Sequence, residues 1–218
     1  MRYIDTHAHL GPWFEERNTF TADAFVELQT RAGIERTVVS STTALYIDLV
    51  QGNEWTIQQA ERLDHLLVWL VLNPLKPTES SELLGRYKDH ERVVGIKIHP
   101  VQHQYPAEVN ATHRMLESIA PLGLPVLSHA EIGSYASPDR LKRLAEAFPS
   151  IILIAAHLGA GQPGQIDEAI DALQDCETGN LYTDMGTARA IRTGVIAQMV
   201  DAIGADRILF GTDSPLYE

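Results

Sequence analysis

Short β-branched or apolar runs alternate along the chain with longer segments whose apolar residues recur at helical spacing. Val38-Val39, Leu66-Leu67-Val68 and Ile151-Ile152-Leu153-Ile154 are apolar at consecutive positions. That is the pattern of parallel strands covered on both faces. Strands are predicted near Arg2–Ala8, Arg36–Thr42, Leu66–Leu72, Val93–His99, Leu124–Ala130, Ile151–His157, Leu181–Met185 and Arg207–Asp213. Their starts fall about 30 residues apart, enough for a strand, a crossover helix and two loops.

The intervening segments carry helix punctuation. Ala22–Ala32 follows Thr21, stops at Gly33 and has an apolar stripe of Phe25, Val26 and Leu28. Glu54–Asp64 places Ile57, Ala60 and Leu63 at helical spacing, Thr78–His90 opens on Thr and Ser caps, and Glu108–Leu122 closes at Gly123. Ser137-Pro138 is an N-cap followed by proline at the first helical position, leading a helix to about Phe148. Gly164–Cys176 behind Pro163 and Thr187–Ile203 complete seven helices.

Eight strands alternating with helices predict an α/β fold, a single (β/α)₈ TIM barrel over residues 1–218, with a doubly wound open sheet as the competitor. The chain stops at Glu218, shortly after the eighth strand, which leaves no room for an eighth helix. Truncation, or a covering surface on that flank such as a homo-oligomer contact, is therefore expected.

Composition narrows the function. The formal net charge of −12 argues against nucleic acid or an anionic membrane as partner. The single cysteine, Cys176, excludes an intramolecular disulfide and a cysteine-rich zinc site. No signal pattern opens the chain and no apolar run reaches membrane-spanning length, so a cytoplasmic protein acting on a small molecule is expected.

The candidate chemistry begins at Asp5-Thr6-His7-Ala8-His9. Residues i and i+2 of a strand share a face, so His7 and His9 project together and suit a metal such as zinc. Alone, two such histidines mean little. The remaining strands, however, also end in chemistry-bearing residues: Lys97 and His99 on the fourth, His129 on the fifth, His157 on the sixth and Asp213 on the eighth. Barrel enzymes keep their sites at these C-terminal ends.

In this order (HxH, Lys, His, His, Asp) the chain resembles the amidohydrolase superfamily, most closely its amidohydrolase-2 branch, which includes aminocarboxymuconate-semialdehyde decarboxylase relatives. The resemblance runs from Asp5 to Pro215. It implies a barrel holding a divalent metal, usually zinc with manganese or iron as alternatives, ligated or contacted by His7, His9, His129 and Asp213. In binuclear members a carboxylated lysine bridges two metals and the sixth-strand histidine binds the second. Lys97-Ile98-His99-Pro100 is similar to the Lys-x-Tyr-Pro of dihydroorotase-like relatives and favours that version; a lysine paired with a carboxylate is the other reading of Lys97. In mononuclear members the residue matching His157 is an unmetallated acid/base or substrate contact. The resemblance thus leaves His157 open between the two roles, and His99 between a substrate contact and a strand cap.

A metal with an open position lowers the pKa of its water toward 7. Asp213 would relay that proton to the leaving group, and His157 or the metal would polarise the carbonyl. Asp5 is a candidate partner for a ligand histidine, or a floor residue. Trp13 and Arg189, with Phe14, Arg192 and Tyr46, are substrate-binding candidates; Arg189 or Arg192 would grip a carboxylate. Gly159-Ala160-Gly161-Gln162-Pro163-Gly164 matches the dinucleotide fingerprint and precedes Asp184 by the usual spacing. Too little chain follows it for a Rossmann domain, so it is read as an active-site loop.

The expected activity is metal-dependent hydrolysis of a small amide, lactone or ester. Non-oxidative decarboxylation of a small unsaturated or aromatic acid is the alternative within chemistry. An inactive metal-binding barrel with an interaction role is the alternative outside it.

Overall fold

The computed structural model describes residues 3–12, 21–160, 166–186 and 194–215. The strands are β1 (Tyr3–Leu10), β2 (Ile34–Ser41), β3 (Leu66–Val71), β4 (Val93–Ile98), β5 (Val126–Ser128), β6 (Leu153–Ala155), β7 (Leu181–Asp184) and β8 (Ile208–Leu209). Between them lie α1 (Ala22–Arg31), α2 (Thr42–Tyr46), α3 (Leu49–Arg62), α4 (Pro77–Tyr87), α5 (Asn110–Ile119), α6 (Pro138–Ala147), α7 (Asp167–Gln174) and α8 (Val195–Ile203). The sheet order is β1 to β8 without reversal. That excludes a doubly wound sheet, whose order must reverse at a switch point. The fold is a TIM barrel. Past β8 the described chain runs to Pro215 without forming a helix.

Two compact units are distinguishable within the chain: Met1–Lys97 with Phe210–Glu218, and Ile98–Leu209. In the first, β1, β2, β3 and β4 pair in parallel, with His9 opposite Ser40 and Val71 opposite Lys97. The segment that follows β8 lies along β1: Thr6 N–H donates to Phe210 O at 2.9 Å and His9 N–H to Ser214 O at 2.7 Å. Val39, Leu66, Val68, Leu70, Val71 and Ile96 are fully enclosed. The Asn53 side chain donates to Leu49 O and Val71 O and accepts from Val71 N–H, locking α3 to β3.

In the second unit β5, β6, β7 and β8 pair in parallel. Asn180 holds the turn before β7 by donating to Ala145 O, Phe148 O and Ile151 O. Among the described residues no helix is long and apolar enough to cross a membrane.

Element boundaries depart from the pattern in instructive places. The helix predicted from Glu54 begins at Leu49, because the Asp48 side chain accepts from Val50 and Gln51 N–H and starts it a turn early. Short α2, capped by Ser41, was not anticipated. Cys176 lies just beyond α7 rather than inside it. His129, His157 and Asp213 were placed within strands, yet each lies beyond one. His157 and Asp213 have φ of 61° and 58°, incompatible with extended backbone.

A close approach fixes α2 against α3. A Cβ on Gly52 would sit 2.2 Å from Ala44 N and 2.7 Å from Ala44 Cα. Backbone cannot yield as a side-chain tip can, so Gly52→Ala is expected to cost about 3 kcal/mol and lower Tm by roughly 6–12 °C for a chain of this size. Gly85→Ala in α4, with nothing within 4 Å of the new methyl, should leave Tm unchanged or slightly raised. Thermal denaturation of the two variants checks both.

Candidate metal centre

β1 places His7 and His9 on one face, as the alternation requires, with relative exposures of 0% and 4%. Their Nε2 atoms lie 3.4 Å and 3.0 Å from Asp213 Oδ1. Lys97 Nζ, from the end of β4, reaches to 3.3 Å from His7 Nε2. Asp213 is brought there by the loop after β8, where its N–H donates to His7 O at 2.7 Å. Asp5 is the buckle of this arrangement. One carboxylate oxygen accepts from His7 N–H and Thr212 N–H, and the other takes the Thr212 hydroxyl at 2.6 Å. These bonds tie the backbone of His7 to Thr212.

The outer nitrogen of His9 is accounted for. Nδ1 lies 3.0 Å from the hydroxyl of Ser40, its register partner on β2, so Nε2 is the atom turned toward Asp213. Burial holds the His9 pKa below the ordinary histidine value despite the neighbouring Asp213 carboxylate. A neutral imidazole is the form a metal takes. Tyr46, on α2, has its phenol pushed up to about 12, by burial and secondarily by the charge of Asp213.

The second unit carries its own histidine cluster. His157 Nδ1 lies 2.6 Å from Gly186 O, and a carbonyl can only accept, so Nδ1 bears a proton and, in the neutral ring, Nε2 carries the lone pair. That Nε2 faces His129 Nδ1 at 3.2 Å. His129 Nε2 lies on the other side, 3.8 Å from Glu131 Oε2. The His129 imidazole beside it lowers the Glu131 carboxyl below its ordinary range. His99 stacks on His129, with ring centroids 4.1 Å apart and planes 12° from parallel, while its Nδ1 accepts from Gln102 N–H.

Within the first unit the structure brings together His7, His9, Lys97 and Asp213; within the second, His99, His129 and His157. Trp13, Phe14, Arg189 and Arg192 lie outside the described residues, as does most of the glycine loop from Gly161 onward. Sequence reasoning missed Ser40, Glu131 and the partners of His157. Ser40 could have been found by pairing β2 against β1 residue by residue.

The amidohydrolase family profile matches residues 4–217. The chain belongs to the amidohydrolases. No curated protein matches this amidohydrolase. Solved structures do. It is similar to 2,6-dihydroxybenzoate decarboxylase from Rhizobium, at TM-score 0.74 and 16% identity over 100% of this chain and 88% of the other. It is also similar to 5-carboxyvanillate decarboxylase from Sphingomonas paucimobilis, at 0.74 and 12%, covering 99% and 89%. A third is a probable 2-pyrone-4,6-dicarboxylic acid hydrolase from Acinetobacter baumannii with citric acid bound, at 0.68 and 15%, covering 99% and 85%. At such identities the likeness establishes the fold alone.

The amidohydrolase family is metal-dependent, and the donor set of the first unit fits such an ion. Two imidazole nitrogens and a carboxylate oxygen converge, the His₂–carboxylate combination of catalytic zinc sites. If Ser40 orients His9 for a metal, Ser40→Ala should weaken zinc binding about 10-fold or more with little change in Tm. Competition against a chromophoric chelator measures it.

Proposed function

We propose that this amidohydrolase is a metal-dependent hydrolase, with zinc as its metal and a small amide, lactone or ester as its substrate. The observation that carries the reading is the convergence of His7 Nε2, His9 Nε2 and Asp213 Oδ1, with Lys97 Nζ beside His7. A lysine amine among the ligand atoms fits binuclear members, in which a carboxylated lysine joins the centre. On the family resemblance His129 serves as a further ligand, and His157 as a ligand or an acid/base. A cytoplasmic location, and a second copy of the chain as partner, belong to the same proposal.

Bound at this centre, the metal supplies Lewis acidity and orientation. The chain supplies the rest. Asp213, buried at 2% exposure, takes a proton from the attacking water and returns it to the leaving group. His9, kept neutral by burial, does not compete for that proton. The His7 carbonyl holds the Asp213 backbone and Asp5 holds that of the preceding Thr212, so the Asp213 carboxylate meets the reacting atoms without reorganising.

Asp213→Asn preserves the side-chain size and the backbone bond to His7 O. It is expected to leave Tm within about 2 °C, since the swap removes no packing volume, and to lower kcat by roughly 10²–10⁴-fold. Wild-type-like turnover in the variant would refute the proton role.

Decarboxylation of a hydroxylated aromatic acid is the second reading, favoured by the two decarboxylases among the similar structures. The zinc-loaded protein, offered a panel of lactones, amides and ortho-hydroxybenzoates, is expected to open or cleave the former and to release no CO₂ from the latter. CO₂ release without hydrolysis would reverse the assignment. Intact mass spectrometry in bicarbonate buffer reads Lys97 directly, because carboxylation adds one CO₂ that Lys97→Ala cannot carry.

A further inference from the structure

Asp184 closes β7 and is completely buried. Its Oδ1 accepts two backbone N–H groups, from Gly186 at 2.7 Å and from His157 at 3.1 Å. Gly186 O in turn accepts the His157 Nδ1 proton at 2.6 Å. One carboxylate thus closes a ring: Asp184 grips the His157 backbone directly and the His157 side chain through Gly186.

A local turn explains only half of this. An Asp accepting from the N–H two residues on is the ordinary Asx turn, which accounts for Gly186. It does not account for His157, which comes from the end of β6 in a turn with two successive left-handed non-glycine residues, His157 at φ 61° and Leu158 at φ 57°. Each costs about 1–2 kcal/mol, and such conformations persist only where the surroundings over-determine them. The Asp184 bond to the His157 amide is a long-range contact in position to do that. Its consequence reaches the ring, because Nδ1 must carry the proton and Nε2 is left to face His129 Nδ1 at 3.2 Å.

We infer that Asp184 is a positioning residue that sets both the left-handed conformation and the Nδ1–H tautomer of His157. Any catalytic consequence rests on the reading of His157 as ligand or acid/base given above. The tautomer does not.

The test is long-range ¹H–¹⁵N correlation of the imidazole nitrogens in the full ¹⁵N-labelled chain, zinc-loaded and after EDTA treatment, with His157→Gln assigning the signal. Wild type is expected to show His157 protonated at Nδ1 and bare at Nε2. Asp184→Ala should move it to an averaged or Nε2–H pattern, while His65 and His113 stay unchanged. Asp184→Asn keeps an oxygen able to accept both N–H groups and should restore the wild-type pattern. A folded Asp184→Ala protein with an unchanged His157 signal overturns the inference. So does an Asp184→Asn protein that has lost the wild-type pattern, which decides the matter should the alanine variant not fold. Zinc affinity separates the two claims. A changed tautomer with unchanged Kd supports the positioning role of Asp184 and refutes His157 as a ligand; a Kd weakened roughly 10-fold or more supports both.

Discussion

The donation from Asp213 N–H to the His7 carbonyl, backed by the Asp5 carboxylate, is the constraint on which the candidate metal centre depends. Without it the Asp213 carboxylate is not held against the two histidines of the first strand. With it, a residue from the far end of the chain is held at φ 58° beside both imidazoles. Aspartate tolerates that conformation better than most residues. The fixed backbone means that Asp213 needs no rearrangement to serve as ligand or proton carrier. Buried carboxylates require hydrogen bonds, and Asp5 accepts from His7 N–H, Thr212 N–H and the Thr212 hydroxyl.

The two histidine clusters follow one rule in separate parts of the chain. In His9 and His157 one ring nitrogen is engaged by the scaffold and the other is directed at a neighbouring polar group. Ser40 engages His9, Gly186 engages His157 and the Gln102 amide engages His99. Imidazole has two distinguishable nitrogens, so whichever group the scaffold uses decides which is left for chemistry.

Much of the fold was legible because parallel strands covered on both sides read as uninterrupted apolar runs, while their crossovers read as amphipathic helices. All eight strands were recognisable this way. Their C-terminal limits were not. His129, His157 and Asp213 look like continuations of Leu127-Ser128, Ala155-Ala156 and Gly211-Thr212, and nothing in residue type says where φ changes sign. Helix α3 was misjudged at its start for a related reason: whether Asp48 caps a helix depends on backbone geometry that its letter does not record. Asp184 was visible only as the tail of a dinucleotide-like spacing; its bond to the His157 amide spans 27 residues and leaves no local trace.

By itself the sequence determined the repeating strand–helix plan, the order of its strand-end histidines and aspartate, and the shared face of His7 and His9, because these follow from periodicity and from the two-residue repeat of a strand. Tertiary structure decided what those residues do to one another: that Asp5 joins His7 to Thr212, that Ser40 claims the outer nitrogen of His9, and that Asp184 sets the tautomer-defining bond of His157. Proton placement and backbone handedness are properties of contacts between distant segments. Only the folded chain makes those contacts.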